Sequence, residues 1–245
     1  MLVDTRTDLL VAPTGPRTRP PVTPHDLVAR KGVPLAASSP MDHAKDRPAP
    51  IGADLLAGGR IVIPSVHRLA TLDEAISAPA PCVLLTNVHV ANVGNLAKHC
   101  RESGKSVLVR PDLVEGFKPD ATGMKLLRQA FHVDGVFTSS LSTARHALDA
   151  GLQVYWRVFL LDSRALATSL ATVAERAWTG FEVVPGPMAL LLASTVREAA
   201  GGRPLVAGGF VSDADLAASL FDAGYAAVST SSKSLWAAPP ANPAA

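Results

Sequence analysis

The chain has 245 residues, of which 48% are hydrophobic and 18% charged, and its formal net charge is +2. This apolar fraction excludes a wholly disordered protein, and the length suffices for one large domain or two small ones. Its two cysteines, Cys82 and Cys100, exclude a disulfide scaffold and multi-cysteine zinc modules, and they fit a reducing, intracellular compartment.

The first part of the chain is rich in proline. Nine of the twenty prolines lie within residues 1–60, a segment without a sustained apolar period. We therefore predict a disordered tail over residues 1–57 and, for the same reason, a second one over residues 237–245. No apolar run is long enough to span a membrane, and the N-terminus lacks the apolar core of a signal peptide, so we expect a cytoplasmic protein.

The excess positive charge lies in the first 60 residues. Residues 1–60 carry eight basic and six acidic residues, whereas residues 61–245 carry fifteen of each. A neutral fold attracts nucleic acid only through a local patch. The candidate patches are Lys98 and Arg101 with Lys105, and a smaller pair, Lys125 and Arg128. Such charge runs are more usually the solvated faces of helices.

From residue 58 to residue 236, short β-branched runs alternate with longer amphipathic runs, which predicts strands alternating with helices. The predicted strands are 60–64, 82–86, 106–110, 135–138, 153–157, 181–184, 204–207 and 226–229. The predicted helices are 92–102, 121–131, 141–150, about 162–176, 188–200 and a segment capped by Ser212 that ends before Gly224. The first link, 71–77, is short.

Alternating strands and helices imply parallel strands with right-handed crossovers. Eight strands favour a compact, TIM-like (β/α)8 barrel, and an open doubly wound sheet is the structural alternative. In a barrel of this kind, functional groups lie at the C-terminal ends of the strands and in the loops that follow them.

Small residues follow the last two predicted strands. Gly208 and Gly209 follow the seventh, and Ser229, Thr230 and Ser231 end and follow the eighth. Glycines let backbone amides approach an anion closely, and small hydroxyls add donors, so we predict a phosphate site here. The alternative is that the two glycines only form a tight turn.

Charged residues lie at or near the ends of three inner strands. Arg157 ends the fifth strand, Glu182 lies within the sixth, and Asp112 and Glu115 follow the third. They predict either a ring of hydroxyl acceptors for a polyol ligand or an arginine–carboxylate network that only orders the loops. Both interpretations remain open at this point.

The sequence shows no clear catalytic constellation. The carboxylates could serve as an acid–base pair, but no lysine ends an inner strand, and Lys233 is expected on the rim. The histidines lack ligand spacing and no CxxC motif occurs, so we expect no metal site and no cofactor. A barrel enzyme of the lyase or isomerase type, acting on a small phosphorylated metabolite, remains the alternative function.

Several ordered motifs resemble the glycerol-3-phosphate-responsive antiterminator family, the glycerol uptake operon regulators. They are Arg157–Ser163 (RVFLLDS), Phe181–Gly186 (FEVVPG), Ala207–Phe210 (AGGF), Ser229–Ser231 with Leu235–Trp236, and the similar Asp112–Gly116 (DLVEG). The resemblance covers residues of about 61–236 and implies a (β/α)8-like barrel with glycerol 3-phosphate as effector. It also implies binding to leader mRNA to prevent transcription termination, which makes the chain a regulator of glycerol metabolism genes rather than an enzyme. Gly186 joins the candidate ligand residues on this ground.

The chain departs from the family at three places. Arg110 and Pro111 stand where a histidine is expected, Ser140 stands where a basic residue is expected, and Trp156 replaces a glutamine. We expect these positions to surround the barrel mouth and to bear on ligand identity. The RNA target, the oligomeric state (a homo-oligomer included) and the role of residues 1–57 stay open.

Overall fold

The computed structural model describes Leu56, residues 59–175 and residues 178–237. The predicted tails lie outside the described residues, apart from Leu56 and Ala237. Among the residues described, no helix is both long and apolar enough to cross a membrane.

Eight parallel strands close into a barrel in which each strand pairs with its neighbours in sequence, and the last pairs with the first. In chain order they are β1 Ile61–Val66, β2 Cys82–Leu85, β3 Ser106–Val109, β4 Gly135–Thr138, β5 Gln153–Phe159, β6 Gly180–Val184, β7 Leu205–Gly208 and β8 Ala227–Thr230. This architecture confirms the predicted (β/α)8 barrel.

Helices connect the strands around the outside. They are α1 Leu72–Ser77, α2 Val90–Glu102, α3 Ala121–Lys125, α4 Leu141–Asp149, α5 Ser163–Glu175, α6 Gly186–Leu191, α7 Ala193–Ala200 and α8 Ala214–Asp222. A π-helical turn, Leu126–Ala130, extends α3. The first link is a six-residue helix, as the shortness of that segment predicts.

Two predicted helix boundaries are wrong. Residues 188–200 form two helices instead of one, because Leu192 leaves the helical region with φ −106° and ψ 19°. Ser212 does not cap α8. The cap is Asp213, whose carboxylate accepts the Leu216 N–H at 2.8 Å, and a carboxylate placed at the N-cap also faces the positive end of the helix dipole.

Strand residues form two apolar layers because successive side chains point to opposite faces. One cluster is built from alternate strand residues that fill the barrel, among them Ile63, Leu108, Phe137 and Tyr155. The other lies between the strands and the helices. Phe137 and Tyr155 stack with ring centroids 4.9 Å apart inside the barrel. The amino-terminal half of the interior is therefore a packed core and not a pore.

Candidate ligand-binding site

The barrel interior changes from apolar to polar two residues beyond the apolar cluster, toward the C-terminal ends of the strands. Side chains that share a face of a strand are two residues apart, and in five strands the apolar residue is followed by a small or charged one. The pairs are Ile63 and Ser65, Leu108 and Arg110, Tyr155 and Arg157, Val206 and Gly208, and Ala227 and Ser229. The C-terminal end of the barrel thus carries a polar layer directly above the apolar one.

Glu182 lies at the centre of that layer and is fully buried. Its Oε1 accepts hydrogen bonds from Arg110 Nη2 at 2.6 Å and from Ser229 Oγ at 2.9 Å. Its Oε2 accepts one from Arg157 Nε at 2.5 Å. A buried carboxylate needs such partners, because removing one side of a buried ion pair costs about 3–5 kcal/mol. The network joins β3, β5, β6 and β8 across the barrel.

The network carries more positive than negative charge. Two guanidinium groups face one carboxylate, and both arginine side chains are largely buried. The Nε of Arg110 is buried and has no hydrogen-bond partner among the described residues. Arg157 also lies over the Phe159 ring, 4.9 Å from its centroid. The polar layer therefore presents a net positive charge to a ligand that enters at the C-terminal end of the barrel.

A cavity of about 380 Å³ opens above this network. The loop after β7, residues 209–212, and the end of β8 with its loop, residues 229–232, form most of its lining. Ser65 at β1 and Arg110 at β3 complete it, and of the described residues that line it only Arg110 is charged. The volume suits a small metabolite of a few carbon atoms.

The two loops approach closely because glycines stand where side chains would collide. A Cβ on Gly208 would lie 2.6 Å from Ser229 Oγ and 2.7 Å from Glu182 Oε1. One on Gly186 would lie 2.5 Å from Val211 Cγ2, and the Gly186 N–H donates to the Gly209 carbonyl at 2.8 Å. Gly209 and Phe210 both have positive φ, 70° and 58°, so the chain turns sharply over the cavity.

Hydroxyl groups hold the two loops together. Thr230 Oγ1 donates to the Val211 carbonyl at 2.5 Å and accepts the Ser232 N–H at 3.0 Å. Ser232 Oγ donates to the Ser212 carbonyl at 3.2 Å. The Thr230 carbonyl accepts the Trp236 indole N–H at 2.9 Å. These bonds fix the positions of the two loops that line the cavity.

The structure brings most of the predicted phosphate residues together. Gly209, Ser229, Thr230 and Ser231 line the cavity, and Gly208 lies directly beside Ser229. Such an arrangement of loop amides and small hydroxyls can hold a phosphate group.

The predicted polyol residues are divided between two places. Arg157 and Glu182 belong to the buried network, and Gly186 packs against the β7 loop. Asp112 and Glu115 are exposed and do not line the cavity. Asp112 lies in a 3₁₀ turn, and Glu115 lies in a two-residue strand that pairs with His89 outside the barrel.

Sequence reasoning overlooked the role of Arg110 in the network, and also Ser65, Phe210 and Val211 as lining residues. The strand alternation contained the missing signal for two of them, because Arg110 is two residues beyond the inward-facing Leu108, and Ser65 two beyond Ile63. No sequence signal marks Phe210, whose side chain is 82% exposed.

The expectation that Trp156 lies at the mouth is wrong. Trp156 alternates with Tyr155 and Arg157, so it points outward and stacks on Trp178 with ring centroids 5.1 Å apart. Its substitution belongs to the outer layer of the barrel. Ser140 is exposed and caps α4 by accepting the Thr143 N–H.

Several candidate nucleic-acid residues have structural partners. Lys105 donates to the Ala78 and Ala80 carbonyls at 2.6 and 2.8 Å. Arg128 lies 3.9 Å from Asp134, and Lys98 lies 3.7 Å from Glu102. Lys105 directly precedes β3, so it lies at the amino end of the barrel, away from the cavity.

The remaining titratable groups show no metal constellation within the described ranges: no three His, Cys, Asp or Glu side chains come together there. Lys233 stands on the rim as predicted and binds Glu74 at 2.6 Å. Both cysteines are free and buried, and burial raises the pKa of Cys82 to about 12 and that of Cys100 to about 11.

Comparison with known proteins then places this barrel. The family model described as glycerol-3-phosphate responsive antiterminator matches residues 62–236, which span β2 to β8 and nearly all of β1. The chain belongs to this family. That result confirms the resemblance seen in the sequence motifs.

Individual relatives are distant. The chain is 26% identical over 175 residues to the uncharacterized protein YgcP of Escherichia coli K12, which covers 71% of this chain and 91% of that protein. The crystal structure of a glycerol uptake operon antiterminator regulatory protein from Listeria monocytogenes is similar with a TM-score of 0.67 and 24% identity, over 72% of this chain and 94% of that one. A glycerol uptake operon antiterminator-related protein from Thermotoga maritima has a TM-score of 0.62 and 25% identity, over 73% of this chain and 98% of that one.

Barrel enzymes share the fold. A deoxyribose phosphate aldolase from Aeropyrum pernix has a TM-score of 0.53 and 14% identity, over 75% of this chain and 89% of that one. Identity at this level shows the common architecture alone, because one fold hosts many unrelated functions.

Proposed function

We propose that this chain is a glycerol-3-phosphate-responsive transcription antiterminator that binds leader mRNA in the cytoplasm and regulates glycerol metabolism genes. The observation that carries the proposal is the family match, which extends over nearly the whole barrel. The cavity at the ends of β7 and β8 supports it, because this is where barrels of this type commonly hold a phosphate.

In this proposal the phosphoryl group of the effector lies between the two loops. The backbone amides near Gly209 and Ser231 supply donors, and the cation of Arg110 is nearby, since Arg110 and Ser229 bind the same oxygen of Glu182. The glycerol part then lies above the buried network. Binding would hold both loops in one arrangement, since both contribute to the same anion site.

The RNA surface that we propose is the rim of the same barrel end. Five exposed hydrophobic side chains follow barrel strands there: Leu69, Leu113, Leu141, Leu161 and Phe210. Exposed cations stand on the same loops, namely Arg68, Arg164 and Lys118, of which Lys118 lies 3.2 Å from Asp120. Single-stranded RNA is bound by such combinations of cations with aromatic or apolar faces. Phe210 belongs both to the cavity and to the rim, so it couples effector binding to the RNA surface.

The effector can favour an RNA-competent state only by binding that state more tightly than the other. The test is therefore in two steps with the full chain. Calorimetry with glycerol 3-phosphate comes first, and retention of the leader transcript upstream of the glycerol genes, with and without effector, comes second. Absence of heat at millimolar glycerol 3-phosphate would contradict the effector assignment. RNA retention that ignores the effector would contradict the gating.

The rim is tested with charge variants. We expect Arg68→Gln and Arg164→Gln to weaken RNA retention and to reduce its salt dependence. Each phosphate contact that is lost lowers the number of counterions released when the RNA binds. Lys98→Gln is the matched control, since Lys98 is exposed on α2 outside the rim. Equal effects of all three substitutions on RNA retention would show that the RNA does not bind at the rim.

The enzyme alternative is tested in the same preparation. Incubation with triose and polyol phosphates, followed by phosphorus NMR, measures turnover directly. Under the proposal these compounds bind without conversion. Conversion of any of them, lost in Glu182→Gln, would favour a lyase or isomerase instead.

A further inference from the structure

Arg110 lies beside the loops that follow β7 and β8, although it follows β3 in the chain. Its Nη2 and the hydroxyl of Ser229 donate to the same oxygen of Glu182, at 2.6 and 2.9 Å. Arg110 and Ser229 both line the cavity. Because two donors on one oxygen are close neighbours, the Arg110 guanidinium borders the same part of the cavity as the end of β8.

The Arg110 guanidinium is only partly used by the protein. Its Nη2 donates to Glu182, whereas its Nε is buried and has no hydrogen-bond partner among the described residues. The side chain is 16% exposed, so part of it is open to the cavity. Arg110 and Arg157 together also exceed the charge of Glu182 by one. The polar layer thus lacks one negative charge, and a ligand anion can supply it.

Other positive groups near these loops are already compensated. Lys233 follows β8 and binds Glu74 on α1 at 2.6 Å. The N-terminus of α8, which follows the β7 loop, is capped by the Asp213 carboxylate and carries Asp215 in its first turn. Since these carboxylates already offset the positive end of the helix dipole, α8 adds little attraction for an anion. Within the described lining, the charge that can attract an anion is that of Arg110.

We propose that Arg110 contacts the phosphoryl group and is the specificity-determining residue of the cavity, which therefore selects a doubly charged phosphate monoester over a singly charged ester of the same shape. Backbone amides can bind the oxygens of either ester. The guanidinium favours the ester with the second negative charge, because the attraction between charges grows with their product. The inference rests on the proposed function, because it takes the ester and the position of its phosphoryl group from it.

The experiment compares glycerol 3-phosphate with glycerol 3-sulfate on the full chain by calorimetry. The two esters have nearly the same shape. At about pH 8 the phosphate carries close to two negative charges, since its second pKa is about 6, whereas the sulfate carries one. We expect the phosphate to bind the wild type about tenfold more tightly than the sulfate, because a charge-assisted hydrogen bond gains from the added charge.

Substitution of Arg110 should remove this selectivity. We expect Arg110→Gln to lower the affinity for glycerol 3-phosphate by at least about tenfold and to reduce the ratio of the two affinities to about threefold or less. Arg110→Lys, which keeps the charge but loses the planar fork, should retain part of the ratio.

Arg110→Gln also removes a partner of the buried Glu182 carboxylate, so a second variant separates this effect from the lost contact. The double variant Arg110→Gln with Glu182→Gln has no unpaired carboxylate and the same net charge in the network as the wild type. Its ratio should stay about threefold or less, because the contact with the phosphoryl group is still missing.

Two further controls complete the series. Arg157→Gln takes the other arginine from the same carboxylate, and it should reduce the ratio less than Arg110→Gln does, since Arg157 is not among the described lining residues. Lys98→Gln removes an exposed charge on α2 and should leave the ratio unchanged. Thermal denaturation shows which variants fold. If Arg110→Gln does not, the double variant and Arg110→Lys decide the question.

The outcomes separate this inference from the proposed function. If glycerol 3-phosphate binds but the sulfate binds equally well, or if Arg110→Gln keeps the wild-type ratio, the inference alone is overturned. Recovery of the wild-type ratio in the double variant also overturns it, because Arg110 would then act through Glu182 without touching the phosphoryl group. If neither ester binds the wild type, the inference and the effector assignment both fail.

Discussion

The two ends of the barrel interior are built on the same strand faces and differ in chemistry. At the amino end, Leu108 and Tyr155 belong to a closed apolar cluster. Two residues later on the same strands, Arg110 and Arg157 bind a fully buried carboxylate. The amino end stabilises the fold through the burial of apolar side chains. The carboxyl end holds a buried charged network, and the desolvation of its charges lowers stability.

This comparison explains where a ligand can bind. A packed apolar layer has no room and no polar partner for a metabolite. The polar layer has a net cation, small residues and a cavity of about 380 Å³ above it. Changes at the amino end should therefore affect stability alone, and changes at the carboxyl end should affect binding.

The largest expected effect is at the amino end. Phe137 is fully buried and stacks on Tyr155. Phe137→Ala should lower the free energy of unfolding by about 3–5 kcal/mol through the cavity it leaves. Urea denaturation measures this. The exposed Leu161 is the control, since Leu161→Ala should change stability by less than about 0.5 kcal/mol.

The folded Phe137→Ala protein should bind glycerol 3-phosphate within about twofold of the wild type, because its effect stays in the apolar layer. A large loss of affinity in the folded variant would show that the two layers are coupled, and the comparison would no longer hold.

The next effect is at the carboxyl end. Gly208→Ala would bring a methyl group within 2.7 Å of Glu182 Oε1 and 2.6 Å of Ser229 Oγ. Relief of that crowding costs about 1–3 kcal/mol. We expect the affinity for glycerol 3-phosphate to fall by at least about tenfold, measured by calorimetry.

The same substitution at the amino end provides the control. Gly151 has open space around its Cβ position and a positive φ of 77°. Gly151→Ala should lower stability by about 1 kcal/mol through backbone strain and leave the affinity unchanged. Equal losses of affinity in both variants would mean that general destabilisation causes the effect.

A smaller effect concerns pH. Burial raises the pKa of Asp134 above its ordinary value of 3.8, although the Val107 N–H and the cations of Arg101, Arg128 and His132 oppose this rise. A carboxyl group with a raised pKa holds its proton more tightly in the folded protein. Its contribution to stability is therefore greatest below 3.8 and declines as pH rises through the raised pKa.

Asp134→Asn should remove that decline in stability. The asparagine keeps an oxygen that can accept the hydrogen bond of the Val107 N–H, whose nitrogen lies 2.8 Å from Oδ2 in the wild type. Denaturation curves across the acidic range measure it. A decline of equal size in the variant would assign the pH dependence to other groups.

The smallest expected signal is the reactivity of the two cysteines. Burial raises the pKa of Cys82 to about 12 and that of Cys100 to about 11, so neither forms much thiolate near neutral pH. Iodoacetamide should label neither residue in the native protein and both in urea, as read by mass spectrometry. Fast native labelling of Cys82 would show that the amino end opens.

The fold could be predicted from the sequence because strands and helices differ in period. The β-branched runs and the intervening amphipathic segments placed all eight strands within two residues at most of their ends. Helix ends were less predictable. The break at Leu192 carries no glycine or proline, and so nothing in the sequence marks it.

The candidate site was predictable where residues stay on strands. Glu182 and Ser229 share the strand alternation that directs them inward, whereas Trp156 follows the same rule outward. Arg110 was expected at the barrel mouth and does line the cavity there, but its bond to Glu182 was missed because it was compared with the family histidine and not with Leu108 on its own strand. Asp112 and Glu115 lie beyond the strand end, where the Pro111–Leu113 turn cancels the alternation.

The central claim is that the loops after β7 and β8 hold the phosphoryl group of a small ester. A crystal structure of the full chain with glycerol 3-phosphate tests it most directly. The account predicts phosphoryl oxygens within about 3 Å of the backbone nitrogens of Gly209 and Ser231. A phosphoryl group bound elsewhere, with these two loops unoccupied, would contradict it.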